Sequence, residues 1–133
     1  MNTTNIRDDD PIKKAGRIIL GSESKWRRQL LQTVGISADG MAADIDEKAI
    51  TAGFPDRNTA DPHALTLAIA QAKAAALLDR LALDTSSSNT NGGDTILITC
   101  DQVVSYMGCI REKPETENLC REFLARYFLN VRL

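Results

Sequence analysis

The chain has 133 residues and a formal net charge of −2, with 43% hydrophobic and 26% charged residues. This length suits one compact domain or a fraction of a larger one, and the composition is that of an ordinary globular protein. The slightly acidic balance gives no general attraction to nucleic acid polymers, and no apolar stretch approaches the roughly 18 residues that a membrane span needs.

The N-terminal end and the cysteines narrow the class of protein further. Residues 1–16 are polar, and we predict a flexible tail without the apolar segment of a secretory signal. Cys100, Cys109 and Cys120 are an odd number and contain no C-x-x-C pair, which disfavours a disulfide framework and a zinc site. We therefore predict a reducing, cytoplasmic compartment. With His63 as the only histidine, a histidine-based metal cluster is excluded.

A short buried strand is predicted at residues 17–20, Arg-Ile-Ile-Leu, ending at Gly21. A helix should begin near Lys25 and stop at Gly35, because glycine is common directly after a helix. The helix carries apolar residues at helical spacing: Trp26, Leu30, Leu31 and Val34.

The middle of the chain is predicted to hold a weak strand within residues 38–45 and a proline-containing loop at 46–62. Residues 63–83 form the clearest helix, since their apolar positions keep one face. These positions are Leu65, Ile69, Ala72, Ala76, Leu77 and Leu81. The Ser-, Asn- and Gly-rich stretch 84–94 is predicted to be a flexible loop.

The last part of the chain is predicted to contain a central strand at 95–105 and a hairpin turn at Met107-Gly108. A final helix should begin after Pro114 and run towards Tyr127. The resulting order, β-α-(β)-α-β-β-α, indicates an α/β layer. Ligands of open α/β sheets bind beyond the carboxyl ends of the strands, so polar residues that follow the strands are the candidates for function.

A carboxylate interrupts the predicted central strand. Asp101 follows the apolar run 96–100 and precedes Val103 and Val104. A buried carboxylate is costly unless it is paired, binds a metal or serves a function. Asp101 is therefore a candidate catalytic residue, and a structural acid that caps a turn is the equally weighted alternative.

Possible anion-binding groups follow the first predicted strand. Residues 22–24, Ser-Glu-Ser, lie between strand and helix, where backbone N–H groups and hydroxyls can face an anion. Arg27 and Arg28 stand in the first helical turn, which the helix dipole disfavours, so they indicate a phosphate partner. Two solvated surface arginines are the alternative.

Further charged candidates are two lysines and an acidic segment. Lys73 lies in an Ala- and Leu-rich helix and Lys113 precedes a proline, and either could be an ordinary surface lysine. Asp44, Asp46 and Glu47 could hold Mg²⁺ or Mn²⁺ through oxygen ligands, or form an acidic loop without a ligand.

Five segments, taken in their order along the chain, resemble the Maf family of nucleoside triphosphate pyrophosphatases, and their amino-acid sequences are most similar to those of the eukaryotic members. They are IILGSESKWRRQLL, ADIDEK, AIAQAKA, ITCDQVV and REKP. The resemblance covers residues 17–127 or so. It implies an α/β fold with a Maf/inosine-triphosphatase-like sheet flanked by helices. It also implies cleavage of a nucleoside triphosphate to the monophosphate and pyrophosphate, with a divalent cation, Mg²⁺ or Mn²⁺, as cofactor.

The resemblance also assigns roles to residues. Asp101 corresponds to the proton acceptor of the family. The conserved polar pocket positions correspond to Ser22, Arg27, Glu47, Lys73 and Lys113. Asp101 and Glu47 are then the expected metal ligands. Cations neutralise the triphosphate in such a reaction, while the carboxylates hold metal or activate water.

Two positions bear on the substrate. Trp26 and Gln102 match the branch of the family that acts on 7-methyl-GTP, whereas the branch that prefers dTTP and UTP usually has Arg and Thr there. The 7-methylguanine base is cationic, and an indole face attracts a cation by roughly 0.5–2 kcal/mol. Packing of Trp26 in the core is the alternative.

Members of the family continue beyond the region that resembles this chain, with a Ser-Gly turn and a second lobe. We therefore expect residues 17–133 to be a partial Maf-like domain that lacks the C-terminal lobe. One expectation is an active pyrophosphatase completed by another chain or as a homodimer. The other is a non-catalytic remnant that binds a nucleotide or a partner. Neither involves a nucleic acid polymer or a membrane.

Overall fold

The computed structural model describes residues 10–50, 53–84 and 94–129. These residues form a mixed α/β structure, which confirms the predicted fold class. The strands are β1 (Arg17–Leu20), β2 (Asp39–Gly40), β3 (Thr95–Ile98), β4 (Val104–Tyr106) and β5 (Cys109–Arg111). The helices are α1 (Pro11–Lys14), α2 (Lys25–Thr33), α3 (Pro62–Asp84) and α4 (Glu117–Leu129). No helix of the described ranges is long and apolar enough to span a bilayer.

A parallel sheet with the order β2-β1-β3 is the centre of the fold. In β1, Ile19 pairs with Asp39 on one side and with Leu97 on the other. The two buried residues of β1, Ile19 and Leu20, belong to the core, as expected for a central parallel strand covered on both faces. Strand β1 and the start of the 95–105 segment are therefore adjacent and parallel.

Helix α2 begins and ends where its sequence predicts. The Oγ atom of Ser24 accepts a hydrogen bond from the backbone N–H of Arg27 (3.4 Å), which caps the N-terminus. Gly35 follows the helix with a φ of 82°, a left-handed conformation that glycine adopts without strain.

Helix α3 packs against the ends of β1 and β3. Leu77 is fully buried, and a Cβ atom added to Gly21 would lie only 2.7 Å from its Cδ1 atom. Thr99, directly after β3, donates a hydrogen bond from Oγ1 to the carbonyl of Ala70 (2.9 Å). The helix therefore reaches the carboxyl edge of the sheet, and the absence of a side chain at Gly21 permits this approach.

The predicted central strand at 95–105 was too long. Strand β3 ends at Ile98, and β4 begins only at Val104 in a separate antiparallel hairpin with β5. Between β3 and β4, the Thr99 hydroxyl and the Cys100 carbonyl form hydrogen bonds with α3 and not with a neighbouring strand. The predicted hairpin turn is confirmed, since Met107 and Gly108 have φ values of 52° and 76°, as a tight two-residue hairpin turn requires.

Other predicted segments differ in detail. In the predicted tail, Pro11–Lys14 form one helical turn capped by Asp10, while residues 1–9 lie outside the described ranges. The weak strand at 38–45 is reduced to β2. The predicted loop 46–62 contains two 3₁₀ turns, Glu47–Ala49 and Arg57–Thr59. Of the predicted flexible loop, residues 85–93 lie outside the described part.

The close contact between Gly21 and α3 predicts that a single methyl group added at Gly21 destabilises the fold. Gly21→Ala should lower the free energy of unfolding by about 1–3 kcal/mol, because the new Cβ would overlap Leu77 and Thr99 in a filled region. Urea unfolding of the variant measures this loss. Gln71→Ala, at an exposed position of α3, is the control. An unchanged midpoint for Gly21→Ala would contradict the described packing.

Candidate active site

Polar side chains from four segments meet at the carboxyl edge of the parallel sheet. Ser22 follows β1, Asp101 follows β3, Lys73 comes from the middle of α3, and Glu47 begins the first 3₁₀ turn. On α3, Lys73 lies one helical turn after Ile69 and one before Leu77, so it occupies the buried face of the helix. An ionisable group thus interrupts the apolar stripe at the edge where ligands of such sheets bind.

Lys73 joins two carboxylates. Its Nζ atom lies 2.8 Å from Oε1 of Glu47 and 3.0 Å from Oδ1 of Asp101. The side chain of Lys73 is 8% exposed and that of Asp101 10% exposed, whereas that of Glu47 is 47% exposed. Lys73 is therefore not a surface lysine, and Asp101 is a buried acid with a partner. Taken as ionised, the three groups carry a formal charge of −1.

The two carboxylates keep the buried ammonium charged. Burial by itself lowers the pKa of Lys73, but hydrogen bonds to Glu47 and Asp101, together with their negative charges, outweigh it. The net result is a pKa above the ordinary value of 10.5. Lys73 is consequently a fixed positive charge at neutral pH.

The turn after β1 presents a serine and an arginine. The Oγ atom of Ser22 accepts hydrogen bonds from the backbone N–H of Ser24 (3.2 Å) and from Nη1 of Arg27 (3.3 Å). The neighbouring Arg28 points elsewhere, since its guanidinium covers Gly40 in β2. Of the two adjacent arginines, Arg27 alone joins the site.

Two cavities flank Lys73, Asp101 and Glu47, which together are called the Lys73 centre, and Glu47 lines both. The first has a volume of about 580 Å³ and is bounded by Asp101, Gln102, Lys113 and the 3₁₀ turn of Glu47. The second has a volume of about 610 Å³ and is lined by Ser22, Arg27, Glu47 and Lys73, among others. Seven of the eight predicted site residues thus line these two cavities.

Trp26 is the exception. Its side chain is 70% exposed and does not line either cavity, and Nζ of Lys25 lies 5.7 Å from the ring centroid. Trp26 is therefore not a core residue, which removes the alternative of core packing. Its ring has a solvent-accessible surface on α2, one position before Arg27.

The predicted acidic cluster does not assemble. Asp46 caps the 3₁₀ turn, with Oδ1 accepting from the backbone N–H groups of Lys48 (3.0 Å) and Ala49 (3.3 Å). Asp44 lines the second cavity, and Glu47 is the acid of the three that pairs with Lys73. Within residues 10–50, 53–84 and 94–129, no three His, Cys, Asp or Glu side chains form a group that could hold a metal ion.

Two arginines at the site were missed by sequence reasoning. Arg80 lines the second cavity and donates from Nη1 to the carbonyl of Ala42 (2.6 Å). It follows Lys73 by seven residues on α3, so helical spacing could have indicated it. Arg57 lines the first cavity from the second 3₁₀ turn, and no local pattern indicates where a loop arginine points.

Comparison with known proteins decides the family. The profile of the family described as "Maf-like protein" matches residues 17–130, most of the chain. The chain belongs to the Maf-like protein family. This confirms the resemblance seen in the five sequence segments.

Relatives of this Maf-like chain carry pyrophosphatase names. It is 46% identical over 110 residues to a 7-methyl-GTP pyrophosphatase of Dictyostelium discoideum, covering 83% of this chain and 51% of that protein. It is 35% identical over 106 residues to a 7-methyl-GTP pyrophosphatase of Idiomarina loihiensis (79% and 46%). It is 33% identical over 104 residues to a nucleoside triphosphate pyrophosphatase of Nocardia farcinica (78% and 45%). The chain spans about half the length of these curated relatives.

The donor set suits a divalent cation of the Mg²⁺ type. Glu47 and Asp101 each place an oxygen within 3.0 Å of the same point, the Nζ atom of Lys73. Mg²⁺ typically takes one or two protein carboxylates and completes its shell with water and substrate phosphates. Two carboxylates beside polar cavities fit that pattern, with Lys73 close enough to compete for the same oxygens.

The raised pKa of Lys73 predicts a pH effect on stability. Since the folded pKa lies above the unfolded one, the stabilisation is complete below about pH 10.5 and is lost as the pH rises through the folded value. Lys73→Met should cost roughly 3–5 kcal/mol at pH 7, because it leaves Asp101 buried without its cation. Urea unfolding from pH 8 to 12 should show this difference shrinking at the alkaline end.

The exposed Lys25 provides the control for that experiment, and Lys25→Met should follow the wild-type profile. A constant gap between wild type and Lys73→Met across the alkaline range would contradict the ion-pair account.

Proposed function

We propose that this Maf-like protein hydrolyses a nucleoside triphosphate between the α and β phosphates, releasing the monophosphate and pyrophosphate. The observation that carries the proposal is the pairing of buried Lys73 with Asp101 and Glu47 at the carboxyl edge of the sheet. The names of the relatives support the same reaction class.

The reaction needs charge neutralisation and one proton acceptor. Displacement at phosphorus depends mainly on positioning and on electrostatic stabilisation of the transferred group. Arg27 and Lys73 in the second cavity and Lys113 in the first can contact phosphate oxygens from two sides. Asp101 lines the first cavity and can accept the proton of the attacking water.

A divalent cation, Mg²⁺ or Mn²⁺, is part of the proposal. Glu47 and Asp101 would hold it together with phosphate oxygens. The ion supplies positive charge at the oxygens where negative charge develops. Lys73 would lie beside these two ligands and supply a further positive charge to the triphosphate.

For the substrate we propose 7-methyl-GTP in preference to dTTP or UTP. Support comes from two relatives named 7-methyl-GTP pyrophosphatase and from the residues Trp26 and Gln102. The exposed indole of Trp26 offers an accessible face for a cationic base. Gln102 is exposed at the first cavity and carries both a donor and an acceptor. A homodimer, the lack of a nucleic acid partner and a cytoplasmic location stay predictions.

Asp101→Asn tests the proposed proton acceptor. The variant should release pyrophosphate at least about 100-fold more slowly, because a neutral amide cannot accept the proton. It should still bind the nucleotide, since the phosphate-contacting cations remain. Asp79→Asn, at an exposed position of α3, is the matched control. Pyrophosphate release and calorimetric binding are measured with Mg²⁺ or Mn²⁺.

Full turnover by Asp101→Asn would remove Asp101 from the mechanism. Binding without turnover in the wild-type chain would replace the proposed hydrolysis by the second function expected from sequence, nucleotide binding alone.

Trp26→Arg tests the substrate preference. Wild type should hydrolyse 7-methyl-GTP faster than dTTP or UTP. In the variant, the rate on 7-methyl-GTP relative to the rate on dTTP or UTP should fall by up to about tenfold, which narrows or reverses the preference. The reason is that arginine repels the cationic base while the indole attracts it. Trp26→Phe, which keeps an aromatic face, should lose less. Rates are compared at matched substrate concentrations, and equal wild-type rates on all three nucleotides would refute the preference.

A further inference from the structure

Arg57 uses all three nitrogens of its guanidinium. Nε and Nη2 donate to Oε1 of Glu112, at 2.9 and 2.5 Å. Nη1 donates to the backbone carbonyls of Glu47 and Ile50, both at 3.0 Å. The side chain of Arg57 is 18% exposed, so the group is largely withdrawn from water. Such planar, charge-assisted contacts are stronger and more directional than those of a lysine.

The two carbonyls that Arg57 binds lie at the two ends of one short segment. Glu47 is the first residue of the 3₁₀ turn and Ile50 is the residue that follows it. Holding both carbonyls fixes the orientation of the whole turn. The side chain of Glu47, which reaches Lys73 at 2.8 Å, projects from this turn.

Glu112 anchors Arg57 to a second segment that lines the first cavity. It follows β5 directly and precedes Lys113, the proposed phosphate-contacting lysine. Arg57 therefore connects the segment that carries Glu47 to the segment that carries Lys113. These two segments are two walls of the 580 Å³ cavity.

A second ion pair connects the same two walls, but in a different way. Lys48, within the 3₁₀ turn, pairs with Glu115 beyond Lys113, and both side chains are 71% exposed. Exposed pairs of this kind contribute little, because water and salt screen them. The donor to the two backbone carbonyls is Arg57 and not Lys48. Lys48→Met therefore tests whether loss of an ion pair between the two walls is enough to disturb the site.

We propose that Arg57 is a positioning residue for the Lys73 site: it orients the 3₁₀ turn so that the carboxylate of Glu47 meets Lys73 beside the cavity that Lys113 also lines. Its part in turnover rests on the proposed function, whereas its effect on the contact between Glu47 and Lys73 does not. Arg57 itself acts through Glu47 and is not a catalytic residue.

The first experiment measures the contact between Glu47 and Lys73 without any nucleotide. Lysine acetylation with a limiting amount of acetic anhydride is followed by mass spectrometry at Lys73. Arg57→Met should raise the labelling rate of Lys73 several-fold, because a loosened Glu47 leaves the amino group of Lys73 more accessible to the reagent. Glu112→Gln should raise it less, since the two carbonyl contacts of Arg57 remain, and Lys48→Met should leave it unchanged.

The second experiment measures turnover. In Arg57→Met the divalent cation concentration for half-maximal pyrophosphate release should rise about tenfold, the usual scale when a residue that orients a metal ligand is removed. At saturating cation, kcat should change less than this half-maximal concentration. Arg57→Lys should restore part of the effect, because one ammonium can reach the carbonyls or Glu112 but not all of them.

Three results would overturn the proposal. They are unchanged Lys73 labelling in Arg57→Met, equal effects of Lys48→Met and Arg57→Met, and full rescue by Arg57→Lys in both assays. If Arg57→Met does not fold, Glu112→Gln and Arg57→Lys carry the same comparison. A wild-type chain without pyrophosphatase activity would refute the proposed function, while the labelling result would still decide the role of Arg57.

Discussion

The buried ammonium of Lys73 between Asp101 and Glu47 is the interaction on which the arrangement of this edge of the fold depends. An isolated ammonium with 8% exposure would be strongly unfavourable, so its partners must be in place whenever the chain is folded. The interaction consequently ties α3 to the segment after β3 and to the first 3₁₀ turn. Helix α3 and the 3₁₀ turn line both cavities, and the segment after β3 lines the first.

Close approach of α3 to the sheet makes this contact possible. Gly21 leaves room for Leu77, and Thr99 bonds to the carbonyl of Ala70, so the helix lies at the ends of β1 and β3. Four residues along α3 from Leu77, Lys73 then lies within hydrogen-bonding distance of Asp101. Apolar packing sets the position of α3, and the polar contacts of Lys73 then form the site. A change in the packing of α3 therefore also changes the contacts of Lys73.

The sequence predicted elements well where the signals were local. β1, α2 with its stop at Gly35, α3 and the hairpin turn at Met107 and Gly108 follow from periodicity and turn chemistry, and all are present. The 95–105 segment was predicted too long because its apolar character continues past Asp101, whereas strand pairing depends on distant neighbours. The sequence motifs indicated Lys73, Asp101 and Glu47 as site residues. Their mutual contact and the proposed role of Arg57 could be recognised only from the tertiary arrangement.

Under the proposed function, the formal charges explain why neither Lys73 alone nor the two carboxylates alone would bind the triphosphate. The Lys73 centre carries a formal charge of −1, which by itself repels a triphosphate, while Arg27, Arg80 and Lys113 line the adjoining cavities. A divalent cation on Glu47 and Asp101 would reverse the sign of that centre. A centre of that sign would attract the phosphates, with Arg27, Arg80 and Lys113 adding positive charge from the cavities. Without an ion, Lys73 still neutralises one of the two carboxylate charges, and this allows Asp101 to be buried.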